Sequence, residues 1–169
     1  INSPEDLDGL KIRVMESKTA FDMVKALGGS PTPISFGELY TSLQQGVVDG
    51  AENNPPSFYL SRHYEVCKYY TLDEHTILPD VLLMSTHIWD SFSDQEKGWL
   101  SQAVKESVIE QRKLWAESEK QSLDAVKEAG VEIIIPDKTL FSKKSKKILE
   151  SYKEDEVLYD FINRIKNTK

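Results

Sequence analysis

Polar and apolar positions change period several times along the chain, and each change marks an element. Ser3-Pro4-Glu5-Asp6 is a helix-start signature: a capping hydroxyl, proline at the first helical position, then acids on the dipole. This short turn ends at Gly9. Leu10, Ile12 and Val14 then alternate with Lys11 and Arg13, the period of two expected of a half-buried strand. Lys18 to Leu27 predicts a helix closed by Gly28-Gly29. Ser30 to Ser35 holds two prolines and predicts a loop or short edge strand. Phe36, Leu39, Tyr40, Leu43 and Val47 recur at helical spacing, and Asp49-Gly50 turns the chain into a short strand.

Asn53-Asn54-Pro55-Pro56 reads as a loop that continues neither a helix nor a central strand. Two more strands are predicted, Tyr64–Leu72 and Val81–Ser85, separated by a turn at Asp73-Glu74-His75. Ser93 and Glu96 form a capping box ahead of a helix that runs to Ala129 and closes at Gly130. Leu100, Val104, Val108, Trp115, Ser122 and Val126 recur along it. At about 1.5 Å per residue it is on the order of 50 Å long, more than one lobe of this size needs. Val131–Ile135 predicts a buried strand ended by Pro136, and two basic helices finish the chain. Strands and helices interleave, so the fold class is α/β. A helix that long wants a surface beyond its own lobe.

Composition narrows the function. The chain has 169 residues, 39% hydrophobic and 29% charged, as expected of a globular chain. The longest apolar run, Val81-Leu82-Leu83-Met84, is far short of the roughly 20 residues of a membrane-spanning helix. A net charge of −7 argues against nucleic acid as a partner. Residues 137–169 hold nine Lys or Arg against six acids, a net +3 on a body of −10; they either dock separately or form a solvated helix face. Cys67 is the single cysteine, which excludes an intrachain disulfide and a thiolate zinc cluster. The chain opens at Ile1 without methionine or leader, an expectation of processing or of a piece of a longer protein.

No GxSxG, HExxH, GxGxxG, phosphate-loop, CxxC or SxxK pattern occurs, and no cofactor is implied. His63, His75 and His87 are twelve apart, too far to share a helical face as metal ligands. Glu52 and Glu74 form a conceivable carboxylate pair for glycoside hydrolysis, of a kind that chance supplies in any acidic chain. Polar groups at strand ends and in loops are the better candidates. Arg13, on the polar face of the first strand, either offers a guanidinium fork to a carboxylate or pairs with Glu16 or Glu38 at the surface. Asn53 faces a ligand or forms an Asx turn. His75 is a ligand partner or a surface residue. Phe36 is core or pocket wall, and Tyr59, Tyr64, Tyr69 and Tyr70 form an aromatic cluster.

Several segments together carry a resemblance: Ser3-Pro4-Glu5-Asp6-Leu7-Asp8-Gly9-Leu10-Lys11-Ile12-Arg13-Val14, then Pro33-Ile34-Ser35-Phe36-Gly37-Glu38-Leu39-Tyr40, then Leu43-Gln44-Gln45-Gly46-Val47-Val48-Asp49-Gly50-Ala51-Glu52-Asn53. Tyr64-Glu65-Val66-Cys67-Lys68-Tyr69-Tyr70, His75 and Trp89 continue it. In order and spacing the chain resembles the TRAP-transporter solute-binding proteins, the DctP family. The resemblance implies a two-lobed periplasmic binding protein that closes on an organic acid and hands it to the membrane subunits of an ion-driven permease, without covalent chemistry. It implies that Arg13 clamps the ligand carboxylate, Asn53 makes a second carboxylate contact, Phe36 lines the pocket and His75 belongs to the polar network behind them.

The family often has proline straight after the motif asparagine; here Asn54 intervenes before Pro55. That extra amide, with Tyr59 and Asp80, suits a hydroxylated ligand, so a sugar acid such as a uronate is expected ahead of a C4-dicarboxylate. The family's first lobe has no counterpart here. Residues 1–92 are therefore expected to form the second ligand-binding lobe, a mixed sheet flanked by helices of the periplasmic-binding-protein type. Residues 93–130 would be the spanning helix, and 131–169 a strand and basic helices returning to the first lobe. Such a half is expected to self-associate or swap domains. A ligand sensor for a signalling receptor is the other reading of the same fold.

Overall fold

The computed structural model describes residues 1–168. At the N-terminus the predicted helix start yields a 3-10 turn, Pro4–Leu7, since Gly9 leaves room for little more. The Ser3 amide donates to the Asp6 carboxylate at 3.1 Å and ties the turn's start. Strand β1 (Lys11–Val14) follows, flanked by β2 (Ser30–Pro33) and β3 (Gly50–Ala51) in the order β2-β1-β3, both pairs parallel. The alternation predicted burial on one face only. A parallel sheet is covered on both faces, however, and Ile12, Arg13 and Val14 are all buried.

The crossover from β1 to β2 is α1 (Lys18–Leu27), capped by Ser17 and stopped by Gly28 at φ +112, where a side chain would be strained. A 3-10 turn, Phe36–Glu38, and α2 (Leu39–Gln44) lead from β2 to β3. This helix is shorter than the apolar spacing predicted; Gly46 at φ +69 turns the chain, so Val47 lies beyond it.

The prolines after Asn53 do not make the expected loop. They open α3 (Pro55–Leu60), with Asn54 as its N-cap: proline has no amide to lose in a first helical turn. Of the predicted strand over 64–72, only β4 (Tyr69–Thr71) forms, preceded by a 3-10 turn, His63–Glu65. The predicted strand Val81–Ser85 is not one. No chain lies alongside it among the described residues to complete a ladder, and Val81, Leu82 and Leu83 are exposed. A short helix, α4 (Thr86–Ser91), precedes α5 (Asp94–Glu128), whose capping box has the Ser93 amide donating to Glu96 at 2.8 Å. After α5 comes β5 (Glu132–Ile134), parallel to β4. The α/β class holds, with two all-parallel sheets in place of one mixed sheet. No helix among the described residues is long and apolar enough to cross a membrane.

Two cores result. Leu7, Ile12, Val14, Val24, Leu27 and Phe141 pack between the three-stranded sheet, α1 and α6 (Lys138–Ser151). Phe58, Val126 and Val131 form the other, ringed by Tyr59, Tyr64, Cys67, Tyr70 and Ile133. In the segment after α5, β5 lies beside β4, and α6 lies on α1. Lys144 reaches the Leu27 carbonyl at 3.4 Å and the Glu5 carboxylate at 3.1 Å. The basic charge sits on α6; the last helix, α7 (Glu156–Asn167), carries two acids and two bases. Near the end of α5, Ser122 and Val126 are buried, and Val126 packs with Phe58 of α3. Trp99, Ile109 and Leu114, with the segment 77–84, are left exposed.

Candidate functional site

Because β1, β2 and β3 are parallel, their carboxyl ends share one edge, the edge where open α/β sheets bind ligands. Arg13 stands one residue before the end of β1, opposite Thr32 on one side and Ala51 on the other. Phe36 follows β2 and Asn53 follows β3.

Arg13 is 5% exposed. Its Nε–H donates to the Ile34 carbonyl at 2.8 Å, and its guanidinium carbon lies 5.8 Å from the centre of the Phe36 ring. Neither Glu16 nor Glu38 pairs with it; Glu38 accepts from the Ser35 hydroxyl at 2.7 Å instead. Among the described residues this buried cation has no carboxylate partner. Such a charge is costly unless an anion satisfies it, which makes the fork a ready anion site. Phe36 is half exposed and lies edge-on to His63, ring centres 5.6 Å apart.

Asn53 uses its side-chain oxygen locally, accepting from the Asn54 amide at 2.9 Å, and its backbone carbonyl accepts from the Tyr70 hydroxyl at 2.7 Å. With that oxygen engaged, the side-chain NH2 is what Asn53 has to offer a ligand. Asn54 has a local role as well. Its side-chain oxygen accepts from the Ser57 amide at 2.9 Å as the α3 cap, which leaves its side-chain NH2 unengaged among the described residues. Tyr59 stacks on Tyr64, ring centres 5.6 Å apart, against the second core. Asp80 is exposed in the segment beyond β4.

His75 lies between the residues that follow β3 and those that follow β4. Its Nδ1 is 2.7 Å from Asp73 Oδ1, and its buried Nε2 is 4.0 Å from Glu52 Oε2 without a hydrogen-bond partner. Burial works against the imidazolium, but Asp73 and Glu52 together outweigh it and raise the pKa to about 9. His75 is therefore a cation at neutral pH, held beside the residue preceding Asn53. Tyr70, pushed up by burial, keeps its proton and its hydrogen bond. Sequence reasoning placed Tyr70 only in an aromatic cluster, weighed His63 only as a metal ligand, and weighed Glu52 only as an acid–base catalyst.

The structure thus gathers Arg13 and Phe36, brings Asn53 to the same edge with His75 braced behind its loop, and sets Asn54 at the exposed start of α3 and Tyr59 against the second core. Two open depressions lie elsewhere, around Leu114 and Trp115 on α5 and around Leu123 and Ile133 near its end, and neither includes Arg13.

Comparison with known proteins agrees with this arrangement. Residues 1–155 match the family DctP, described as bacterial extracellular solute-binding protein, family 7. A "Solute-binding protein" of Chromohalobacter salexigens is 43% identical over 129 residues, covering 74% of this chain and 38% of the relative. A TRAP periplasmic solute binding protein of Xanthobacter autotrophicus, solved with bound β-D-galacturonate, superposes with TM-score 0.90 at 42% identity, covering 100% of this chain and 57% of that one. Its counterpart from Roseobacter denitrificans, with bound β-D-glucuronate, superposes with TM-score 0.93 at 36% identity, covering 100% and 57%. The chain spans 38% of that curated relative's length and 57% of those two solved chains. The family is one of periplasmic solute-binding proteins, not of enzymes. On sequence and on fold alike, the chain belongs to the bacterial extracellular solute-binding proteins of family 7, the DctP family.

Proposed function

We propose that this chain is the carboxylate-binding lobe of a periplasmic receptor for a sugar acid, most simply a uronate, that delivers its ligand to an ion-driven TRAP permease and catalyses no reaction. The observation that carries this reading is the buried, carboxylate-free guanidinium of Arg13 at the carboxyl edge of a parallel sheet. A bidentate pair there supplies direction as well as charge. Phe36 offers an apolar face for the carbon skeleton, and the Asn53 NH2 a second donor. The galacturonate and glucuronate bound to the two solved relatives support the ligand class. Since every acid presents the same carboxylate, selectivity belongs to groups around its other end.

In isolation this chain exposes Trp99, Ile109, Leu114 and the segment 77–84, so it self-associates at working concentration. Sedimentation and a hydrophobic dye test this; a monodisperse, dye-silent monomer contradicts it.

The function is tested by thermal shift on the protein at its relatives' full length, against uronates, aldonates, C4-dicarboxylates, α-keto acids and sialate, with Arg13→Ala as control. A shift with uronates that the variant lacks is expected. A C4-dicarboxylate profile would leave Arg13 its role and remove the sugar. A wild type that no acid shifts would overturn the reading.

A further inference from the structure

His63 is 3% exposed, yet it sits in a short turn between α3 and β4 that sequence patterning marks in no way. The chain enters this turn through Arg62 at φ +61, a left-handed conformation that a residue with a side chain adopts only when its surroundings hold it there. Those surroundings are specific. Arg62 Nε donates to Glu65 at 2.7 Å, and the other oxygen of Glu65 accepts from the Tyr40 hydroxyl at 3.0 Å. The amides of Val66 and Cys67 both donate to the His63 carbonyl, at 3.1 and 3.0 Å. The backbone at His63 is thereby pinned, with its ring turned inward.

What the ring meets is Phe36, edge-on, with an interplanar angle of 72°. Phe36 in turn carries Arg13 over its face. The segment 36–40 is thus joined twice to the turn 62–65, by Tyr40 to Glu65 and by Phe36 to His63. Phe36 is 47% exposed, so little else restrains it. We propose that His63 is a positioning residue of the anion site: it props the Phe36 ring against Arg13 and through that ring fixes where the guanidinium points. The inference rests on the reading of Arg13 as the partner of the ligand's carboxylate. Burial, and Arg13 beside it, hold the imidazole below the ordinary histidine range, so His63 props the ring without adding a second charge.

Three substitutions separate positioning from mere space-filling. His63→Leu keeps an apolar side chain of similar size, His63→Phe keeps an aromatic edge, and His63→Ala keeps neither. In the protein at full length, D-glucuronate and D-galacturonate affinities are measured by calorimetry beside the melting temperature of each variant. The Ala and Leu variants are expected to bind about tenfold more weakly and the Phe variant to recover to within about twofold, with the Leu variant melting as the wild type does. Leu and Phe variants that both bind like the wild type would overturn the proposal.

A second readout needs no ligand: hydrogen exchange of the Arg13 Nε–H, followed by NMR. It is expected to quicken in the Ala and Leu variants and to stay slow in the Phe variant. If the wild type binds neither uronate while exchange follows that order, the acid reading falls and the positioning role stands. Uniform exchange across all variants overturns the positioning role itself.

Discussion

The Nε–H of Arg13 points at the carbonyl of Ile34, 2.8 Å away, so the residue after β2 anchors one edge of the guanidinium, and among the described residues the rest of its fork is free of carboxylates. Removing that fork removes the anion's partner. In the full-length protein, Arg13→Ala is expected to lose about 2–5 kcal/mol of affinity for the acid, the range for breaking a buried charged pair. Arg13→Lys keeps the charge and loses the planar fork, so it should fall between the two. Calorimetry with a uronate decides; an unchanged dissociation constant takes Arg13 out of the site.

Tyr70 ties the second core to the loop after β3 by donating its hydroxyl to the Asn53 carbonyl at 2.7 Å while its ring lies 4.7 Å from that of Phe58. Tyr70→Phe keeps the packing and deletes the bond, leaving the carbonyl of a site residue unsatisfied. A loss of about 1 kcal/mol in stability is expected, together with weaker acid binding. Chemical denaturation of the variant checks the first and calorimetry the second; equal stability would mean that water replaces the phenol.

His75 sets a pH dependence. Its folded pKa, about 9, lies above the ordinary value near 6.5, so the folded state holds its proton more tightly than the unfolded chain. The stabilisation is complete below pH 6.5 and is lost as pH rises through 9. Its size is on the order of a few kcal/mol. Denaturation midpoints for this chain should therefore fall between pH 6.5 and 9.5, and His75→Gln should flatten that slope. His63 acts oppositely: its lowered pKa costs stability as pH drops below about 6.5.

The two ends of α5 should respond differently to substitution. Val126 is fully buried in the second core, and Val126→Ala should cost roughly 2 kcal/mol. Ile109 is 72% exposed, and Ile109→Ser should change stability by no more than about 0.5 kcal/mol while lowering self-association. Denaturation curves and sedimentation of the same two variants test both halves. A costly Ile109→Ser would mean that the helix is covered in solution.

What the sequence made legible was local. Ser17, Gly28, Ser93 and Glu96 announce helix ends because capping is settled within a few residues. Arg13 and Asn53 were legible as candidates, since both stand at the ends of readable strands. What failed depended on neighbours distant in sequence. Val81–Ser85 has the composition of a strand, but a ladder needs a second chain beside it. Pro55-Pro56 looked like a break because proline ends helices as readily as it begins them, and only the Asn54 cap distinguishes the two. Nothing around His63 hints that its ring would reach Phe36, because that contact spans 27 positions and depends on the left-handed Arg62.

The pairing of β4 with β5 has a consequence for the order of assembly. Tyr69 meets Glu132 across 63 positions, with all of α5 inside the closed loop, whereas Lys11 meets Ser30 across only 19. Long closures forfeit more chain freedom before any contact repays it, so the distant ladder should knit after the near one. Pulse-labelled refolding of the 169-residue chain should find the amides of β1 and β2 shielded first. Tyr70 would then arrive late, and the Asn53 loop would be the last part of the anion edge to set.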